Sequence, residues 1–247
     1  MVITPDFVFI HLTKTGGTYV TQMLSRLYGD RAVDFNQHGT CSDIPEQYRG
    51  KPLVSTVRSP YDRYVSQYRY EWWKISPEEY CGEAAMREMF PHYPDITFEE
   101  FLGLANSKFM NCFRRVPTGF VNDNFPPERR LGWHTEGFVR FFFHHPREVY
   151  ARLDEETIES GGFARDMFDV HFLRTANLRQ GLHDYLLSLG HRPADLAFIL
   201  ASERVLPDDG HRRPKNDPWQ SYYTPELREL VRTRERLIFR HFPDLDT

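Results

Sequence analysis

Apolar runs alternate with amphipathic stretches along the chain. The runs at residues 7–12 and 52–57 are short and apolar, which is typical of buried strands. Each is followed by apolar positions at helical spacing, over 18–28 and from residue 59 to about Trp73. This alternation predicts an α/β fold of three layers, with a central parallel sheet, flanking helices and right-handed crossovers.

Further strands and helices are predicted later in the chain. Residues 31–35 and 169–173 predict further strands, and 177–189 predicts a helix that Gly190 ends. The last helix is predicted to begin at a Thr224 cap.

Residues between these elements follow a different pattern. Residues 74–165 are aromatic, helical and irregular, with capping signatures at Ser76 and Thr97. We therefore expect a single domain over residues 1–247, with 74–165 as a mostly helical lobe inserted into the sheet domain.

The segment between the first strand and the first helix is Lys14-Thr15-Gly16-Gly17-Thr18. Glycines allow the backbone to curl closely around an anion, and a helix start presents free N–H groups to it. Lys14 adds a positive charge. This segment, which we call the phosphate loop, predicts an anion site at the carboxyl end of the first strand.

A second anion site is predicted where the next strand ends. Arg58 follows that strand as a forked donor that can bind a phosphate through two hydrogen bonds. Ser66 follows about two turns into the next helix. Ligands of parallel sheets bind at the carboxyl ends of strands, so the two sites together suit a ligand with two separated phosphate groups.

These segments resemble the sulfotransferases that use 3′-phosphoadenosine 5′-phosphosulfate (PAPS). Ile10-His11-Leu12-Thr13-Lys14-Thr15-Gly16-Gly17-Thr18 resembles their 5′-phosphosulfate loop, and Arg58-x-Pro60-x-x-Arg63-x-x-Ser66-x-Tyr68 resembles their 3′-phosphate motif. Phe172-Leu173-Arg174-Thr175 and Lys215-Asn216 echo later segments. Thr13 replaces the usual proline, and Ala176 stands where the family often has glutamate. The resemblance implies a P-loop NTPase-like fold.

The resemblance also implies a role for each matching residue. Lys14 is expected to contact the bridging oxygen of the phosphosulfate. The backbone N–H and hydroxyl groups of Thr15, Gly16, Gly17 and Thr18 are expected to hold the 5′-phosphate, Arg58 and Ser66 the 3′-phosphate, and Arg212 and Lys215 to lie on a loop closing over the cofactor. The implied cofactor is PAPS, with PAP as its product and no metal.

Sulfuryl transfer also needs a base for the acceptor hydroxyl. His38 is the candidate, since it lies upstream of the Arg58 strand as does the catalytic histidine of the uronyl 2-O-type branch. A surface or structural role for His38 stays open, and so does a glutamate base, as in other branches. His11 is expected to pack at the strand end. The candidate glutamates are Glu46, Glu71, Glu99 and Glu100.

The predicted activity is transfer of a sulfuryl group from PAPS to the hydroxyl of a carbohydrate or small molecule, by in-line displacement. One alternative is a P-loop kinase, although Lys14 precedes the glycines, whereas the Walker A lysine follows them. Another is a non-catalytic module that binds PAP or a glycan.

Composition restricts the partners. The formal net charge of −4 disfavours a protein that coats nucleic acid or anionic membranes. The three cysteines form no C-x-x-C pair, which favours a reducing compartment. No apolar stretch approaches the ~20 residues of a membrane span. We therefore expect a cytoplasmic protein without a membrane segment.

Overall fold

A computed structural model of the chain describes residues 1–107, 120–202 and 216–247. The chain divides into two compact units. In the described residues, the first unit comprises 1–58 and 168–202, and the second comprises the rest. No helix within these described ranges is both long and apolar enough to cross a bilayer.

A sheet of five described strands forms the centre of the first unit, in the order β3-β1-β2-β4-β5. The three strands β2, β4 and β5 are parallel, as predicted, whereas β1 is antiparallel to both β2 and β3. The sheet is thus mixed and not wholly parallel. The cause is a tight turn, in which the Thr4 hydroxyl donates to the Phe7 carbonyl at 2.8 Å and folds β1 back onto β2. The strands are β1 (Val2–Ile3), β2 (Val8–Ile10), β3 (Val33–Asp34), β4 (Leu53–Val57) and β5 (Val170–Arg174).

Helices make up most of the regular structure in the described residues. They are α1 (Gly17–Tyr28), α2 (Pro60–Tyr70), α3 (Trp72–Ile75), α4 (Glu83–Met89), α5 (Phe98–Ala105), α6 (Trp133–Phe142), α7 (Pro146–Arg152), α8 (Glu155–Ser160), α9 (Leu178–Ser188), α10 (Pro193–Ala201), α11 (Pro225–Arg234) and α12 (Arg236–His241). The sequence predicted α1 and α9 closely but did not predict α10.

The core of the first unit joins the sheet to α1, α9 and α10. Phe7 and Phe9 are fully buried, and Val20, Leu182 and Ile199 supply buried apolar groups from the three helices. Burial of such side chains is worth roughly 1.5–3 kcal/mol each, so the core fixes α1 against the sheet. The phosphate loop lies at the start of this helix.

Helix α2, in the second unit, is shorter than predicted. It ends at Glu71, which has a left-handed φ of 56°, and the chain restarts as α3. Trp73, predicted to lie on the same helix, is buried on α3 with its ring centroid 6.4 Å from that of Phe101.

The Thr97 capping box is confirmed, with the Thr97 N–H donating to Glu100 at 2.7 Å. The Ser76 signature opens only a short 3₁₀ turn, and α4 begins later.

The predicted last helix is interrupted at Glu235, which is fully buried. Its carboxylate accepts hydrogen bonds from the Tyr64 hydroxyl, from the His134 N–H at 3.2 Å, and from the Thr135 N–H and hydroxyl at 2.6 and 2.7 Å. These backbone N–H groups belong to the first turn of α6. The Glu235 carboxyl group therefore caps that helix from a fully buried position, and burial raises its pKa. Gly132 permits this approach, since a Cβ there would lie 2.1 Å from a Glu235 carboxylate oxygen.

Candidate functional site

The phosphate loop connects β2 to α1 through two left-handed residues, Lys14 with φ 61° and Gly16 with φ 96°. Alternation of left- and right-handed residues turns successive N–H groups towards one side and forms a concavity that binds anions. The first N–H groups of α1, from Gly17 and Thr18, have no intrahelical acceptor. A backbone of this shape can bind an anion.

His11 explains why position 17 is a glycine. A Cβ on Gly17 would lie 2.0 Å from the His11 Cδ2 atom, so the imidazole occupies the space of a side chain. His11 is only 5% exposed, which confirms its predicted packing role. Burial and the neighbouring His38 lower the pKa of His11 to about 3, so its ring is neutral near pH 7.

The Thr15 side chain holds the loop from within. It is fully buried, and its hydroxyl lies 2.7 Å from both the Leu12 carbonyl and the Thr56 hydroxyl. A carbonyl only accepts, so Thr15 donates its one proton to Leu12 and receives the proton of Thr56. The Thr15 hydroxyl is thereby engaged inside the protein, and its backbone N–H is the group left to bind an anion.

Lys14 and Arg58 bring two positive charges to the loop. The Arg58 Nη1 atom donates to the Lys14 carbonyl at 3.3 Å. Burial, and next the Arg58 charge, lower the pKa of the Lys14 ammonium to about 7. An anion between these groups would favour the charged form of Lys14. The structure therefore brings Lys14 and Arg58 together at the phosphate loop.

His38 lies beside the same end of β2. It stands in a turn closed by the Gly39 N–H donating to Asn36 at 2.7 Å. The His38 Nδ1 atom is 3.3 Å from the His11 carbonyl. Because a carbonyl cannot donate, Nδ1 carries the proton, and Nε2 of neutral His38 has the free lone pair. Desolvation lowers the pKa of His38, so this neutral form predominates near pH 7.

The other predicted residues are placed as follows. Thr18 lies in the first turn of α1, and Ser66 is half-buried on α2 in the second unit. Arg212 and Lys215 lie outside the described residues. Across the described ranges, the structure brings together no three His, Cys, Asp or Glu side chains that could bind a metal.

The four glutamates named as alternative bases lie on several different elements. Glu46 is exposed on a 3₁₀ turn of the first unit, and Glu99 is exposed on α5. Glu71 forms the break between α2 and α3. The Glu100 carboxylate is engaged in the Thr97 capping box, and that contact lowers its pKa.

Thr175 lies in a segment that resembles the family, but the sequence analysis assigned it no role at this site. Its hydroxyl lies 2.6 Å from the Thr15 carbonyl and 3.0 Å from the Val57 carbonyl. It thus joins the phosphate loop to the carboxyl end of β4. The sequence signal is only a hydroxyl residue directly after a strand, which is too common to predict this contact.

Comparison with known proteins supports the resemblance to sulfotransferases. The model of the sulfotransferase family matches residues 3–124, which contain the phosphate loop, His38, Arg58 and Ser66. The matched residues form the amino-terminal half of the chain and resemble sulfotransferases. The match supports an enzyme that transfers a sulfuryl group from PAPS to a hydroxyl-bearing acceptor.

Among solved structures, mouse sulfotransferase SULT7A1 complexed with PAP is similar to this chain at 13% sequence identity and a TM-score of 0.42. That match covers 91% of this chain and 80% of the mouse chain. No curated protein matches the sequence.

Proposed function

We propose that the phosphate loop, Arg58 and His38 carry out this transfer, and that the acceptor hydroxyl belongs to a carbohydrate or small molecule. The observation that carries the proposal is the arrangement around the end of β2. There a left-handed loop at a helix start meets two cationic side chains, and a neutral imidazole lies beside it.

The residues present fit PAPS. The backbone N–H groups of Thr15, Gly16, Gly17 and Thr18 would hold the 5′-phosphate, because a glycine-rich helix start supplies donors without side chains in the way. Arg58 offers a forked donor for the 3′-phosphate, and Ser66 on α2 is proposed to assist it. Arg212 and Lys215 are also proposed as cofactor-binding residues.

Lys14 is proposed to act on the leaving group and His38 on the acceptor hydroxyl. PAPS supplies the sulfuryl group, and Lys14 places its positive charge where the leaving oxygen becomes negative. His38 accepts the acceptor proton at Nε2, while the His11 carbonyl holds the Nδ1 proton and so fixes the tautomer. Its lowered pKa then favours release of that proton to solvent.

The second unit contains a cavity among its described residues. It has a volume of about 180 Å³ and is lined by aromatic rings, including Trp133 and Tyr150, and by polar groups, including Asn106, Asn122 and Asp123. Sites for small ligands commonly combine such apolar walls with a few polar groups, and sugars present both kinds of surface.

The proposal is tested by transfer of labelled sulfate from PAPS to a panel of sugars and phenols. His38→Ala is expected to lower kcat by about 100-fold or more, because the general base is lost. PAP affinity should stay within about twofold, since His38 is not proposed to contact PAP. His171→Ala, at the exposed side of β5, serves as the matched control and should retain activity. Wild-type turnover in His38→Ala would remove His38 from the mechanism.

Ligand binding should also depend on pH through Lys14. The ammonium has a pKa of about 7 in the free protein, and a bound anion raises that pKa. Binding therefore takes up a proton above pH 7, and PAP affinity should fall with rising pH by at most about tenfold per unit. Calorimetry between pH 7 and 9 measures this slope. The PAP affinity of Lys14→Arg should not change with pH in this range, because arginine remains charged. If wild type and Lys14→Arg showed the same dependence on pH, Lys14 would not be the group that takes up the proton.

A further inference from the structure

Side-chain donors from the first unit hold two carbonyl groups of the phosphate loop and the Leu12 carbonyl just before it. The Thr15 hydroxyl donates to the Leu12 carbonyl, and Arg58 donates to the Lys14 carbonyl. Thr175 donates to the Thr15 carbonyl at 2.6 Å, the shortest of the three contacts. The carbonyl of each peptide bond points opposite to its N–H, so each contact also fixes the direction of the N–H on the following residue.

The Thr15–Gly16 peptide is the one that most needs such a contact. Gly16 has a φ of 96°, and glycine adopts positive and negative φ with similar ease. A flip of this peptide would therefore meet little resistance at Gly16 itself. The flip would reverse the Gly16 N–H and place the Thr15 carbonyl where an anion is to bind.

Thr175 is well placed to prevent this flip. It follows the last residue of β5, and its hydroxyl also lies 3.0 Å from the carbonyl of Val57, the last residue of β4. The Thr175 Cγ2 methyl would be 3.7 Å from a Cβ on Gly16, so the side chain packs alongside the same peptide. The sheet, which is the rigid part of the unit, thereby sets the orientation of the loop.

We propose that Thr175 is a positioning residue for PAPS: its hydroxyl locks the Thr15–Gly16 peptide so that the Gly16 N–H is presented to the phosphosulfate. This inference rests on the proposed function. Thr175 acts through Thr15 and Gly16 and takes no part in the chemistry.

The test separates the effect of the hydroxyl donor at position 175 from the effect of the shape of the side chain. Thr175→Val keeps the shape and removes the donor, whereas Thr175→Ser keeps the donor and removes a methyl. Calorimetry should show PAP affinity about tenfold weaker for Thr175→Val and within about twofold of wild type for Thr175→Ser. Thr175→Cys, a weak donor, should fall between them and provides a folded variant if valine is not tolerated. A purely packing role predicts the reverse order, with valine nearest to wild type.

Thr4→Val is the matched control. It removes a buried hydroxyl in the same unit, but at the turn that precedes β2. It should lower the melting temperature and leave PAP affinity unchanged. The amide resonance of Gly16 gives a direct measure: PAP should shift it strongly in wild type and weakly in Thr175→Val.

The outcomes separate the two proposals. Equal PAP affinity in wild type and Thr175→Val would overturn the role of Thr175 and leave the transfer function intact. PAP binding that follows donor strength, with no transfer to any acceptor, would support Thr175 and refute the catalytic proposal. If wild type does not bind PAP, both proposals fail.

Discussion

Lys14→Ala is expected to lower kcat for sulfuryl transfer by about 1,000-fold, because removal of a group that stabilises developing negative charge in an enclosed site costs two to three orders of magnitude. The Lys14 ammonium is partly buried and its pKa is about 7, so its charge is poorly solvated until an anion is bound. Such a charge contributes most where negative charge is greatest, at the leaving oxygen of the transition state. Single-turnover kinetics with labelled PAPS measure the rate of the transfer step separately from product release.

Lys51→Ala provides the matched control for this loss. It also removes one lysine from the first unit, but Lys51 stands before β4 and donates to the Pro5 carbonyl, at the opposite end of the strands from the phosphate loop. Its kcat should remain within about twofold of wild type, since surface charges away from a site have small effects. Equal losses in both variants would show that overall charge, and not the position of Lys14, is responsible.

Glu235→Ala should lower the free energy of unfolding of the second unit by about 3–5 kcal/mol, as for loss of one partner in a buried charged contact. Four donors lose their acceptor: the Tyr64 hydroxyl, the His134 N–H, and both donors of Thr135. The start of α6 would then be buried without a cap. Denaturant titration followed by tryptophan fluorescence suits this measurement, because all four tryptophans (Trp72, Trp73, Trp133 and Trp219) lie in the second unit.

Two further variants test whether the loss of stability in Glu235→Ala comes from the missing cap of α6. Glu229→Ala removes a carboxylate from the exposed face of α11, and its unfolding free energy should change by less than about 0.5 kcal/mol. Glu235→Gln retains the shape but places an amide NH₂ against one set of donors, so its stability should lie between wild type and Glu235→Ala. A midpoint for Glu235→Ala equal to that of Glu229→Ala would contradict the capping role.

The sequence predicted the elements that depend on local signals. Strands β2 and β4 are short apolar runs, α1 combines a helical pattern with a glycine turn before it, and the Thr97 box pairs residues three apart. The loop motif similarly placed Lys14 beside a helix start. Each of these features depends on residues adjacent or nearly adjacent in the chain.

Features that depend on distant residues were not predictable. The break at Glu235 arises because its carboxylate binds the start of α6, some 100 positions earlier, while the local sequence favours a continuous helix. Arg236 bonds Glu155, 81 positions earlier, at 3.0 Å and lies over the Phe125 ring. Thr175 likewise reaches Thr15 across 160 positions. Hydrogen bonds of this kind leave no periodic pattern in the sequence.

The imidazole of His11 occupies the place where a side chain at position 17 would lie. Substitutions at these two positions are therefore not independent. Any residue larger than glycine at position 17 requires a smaller one at position 11, and loss of the ring alone leaves a void under the start of α1. Among diverging descendants of this chain, positions 11 and 17 should covary, and a single step at either one should be disfavoured unless the other has already changed.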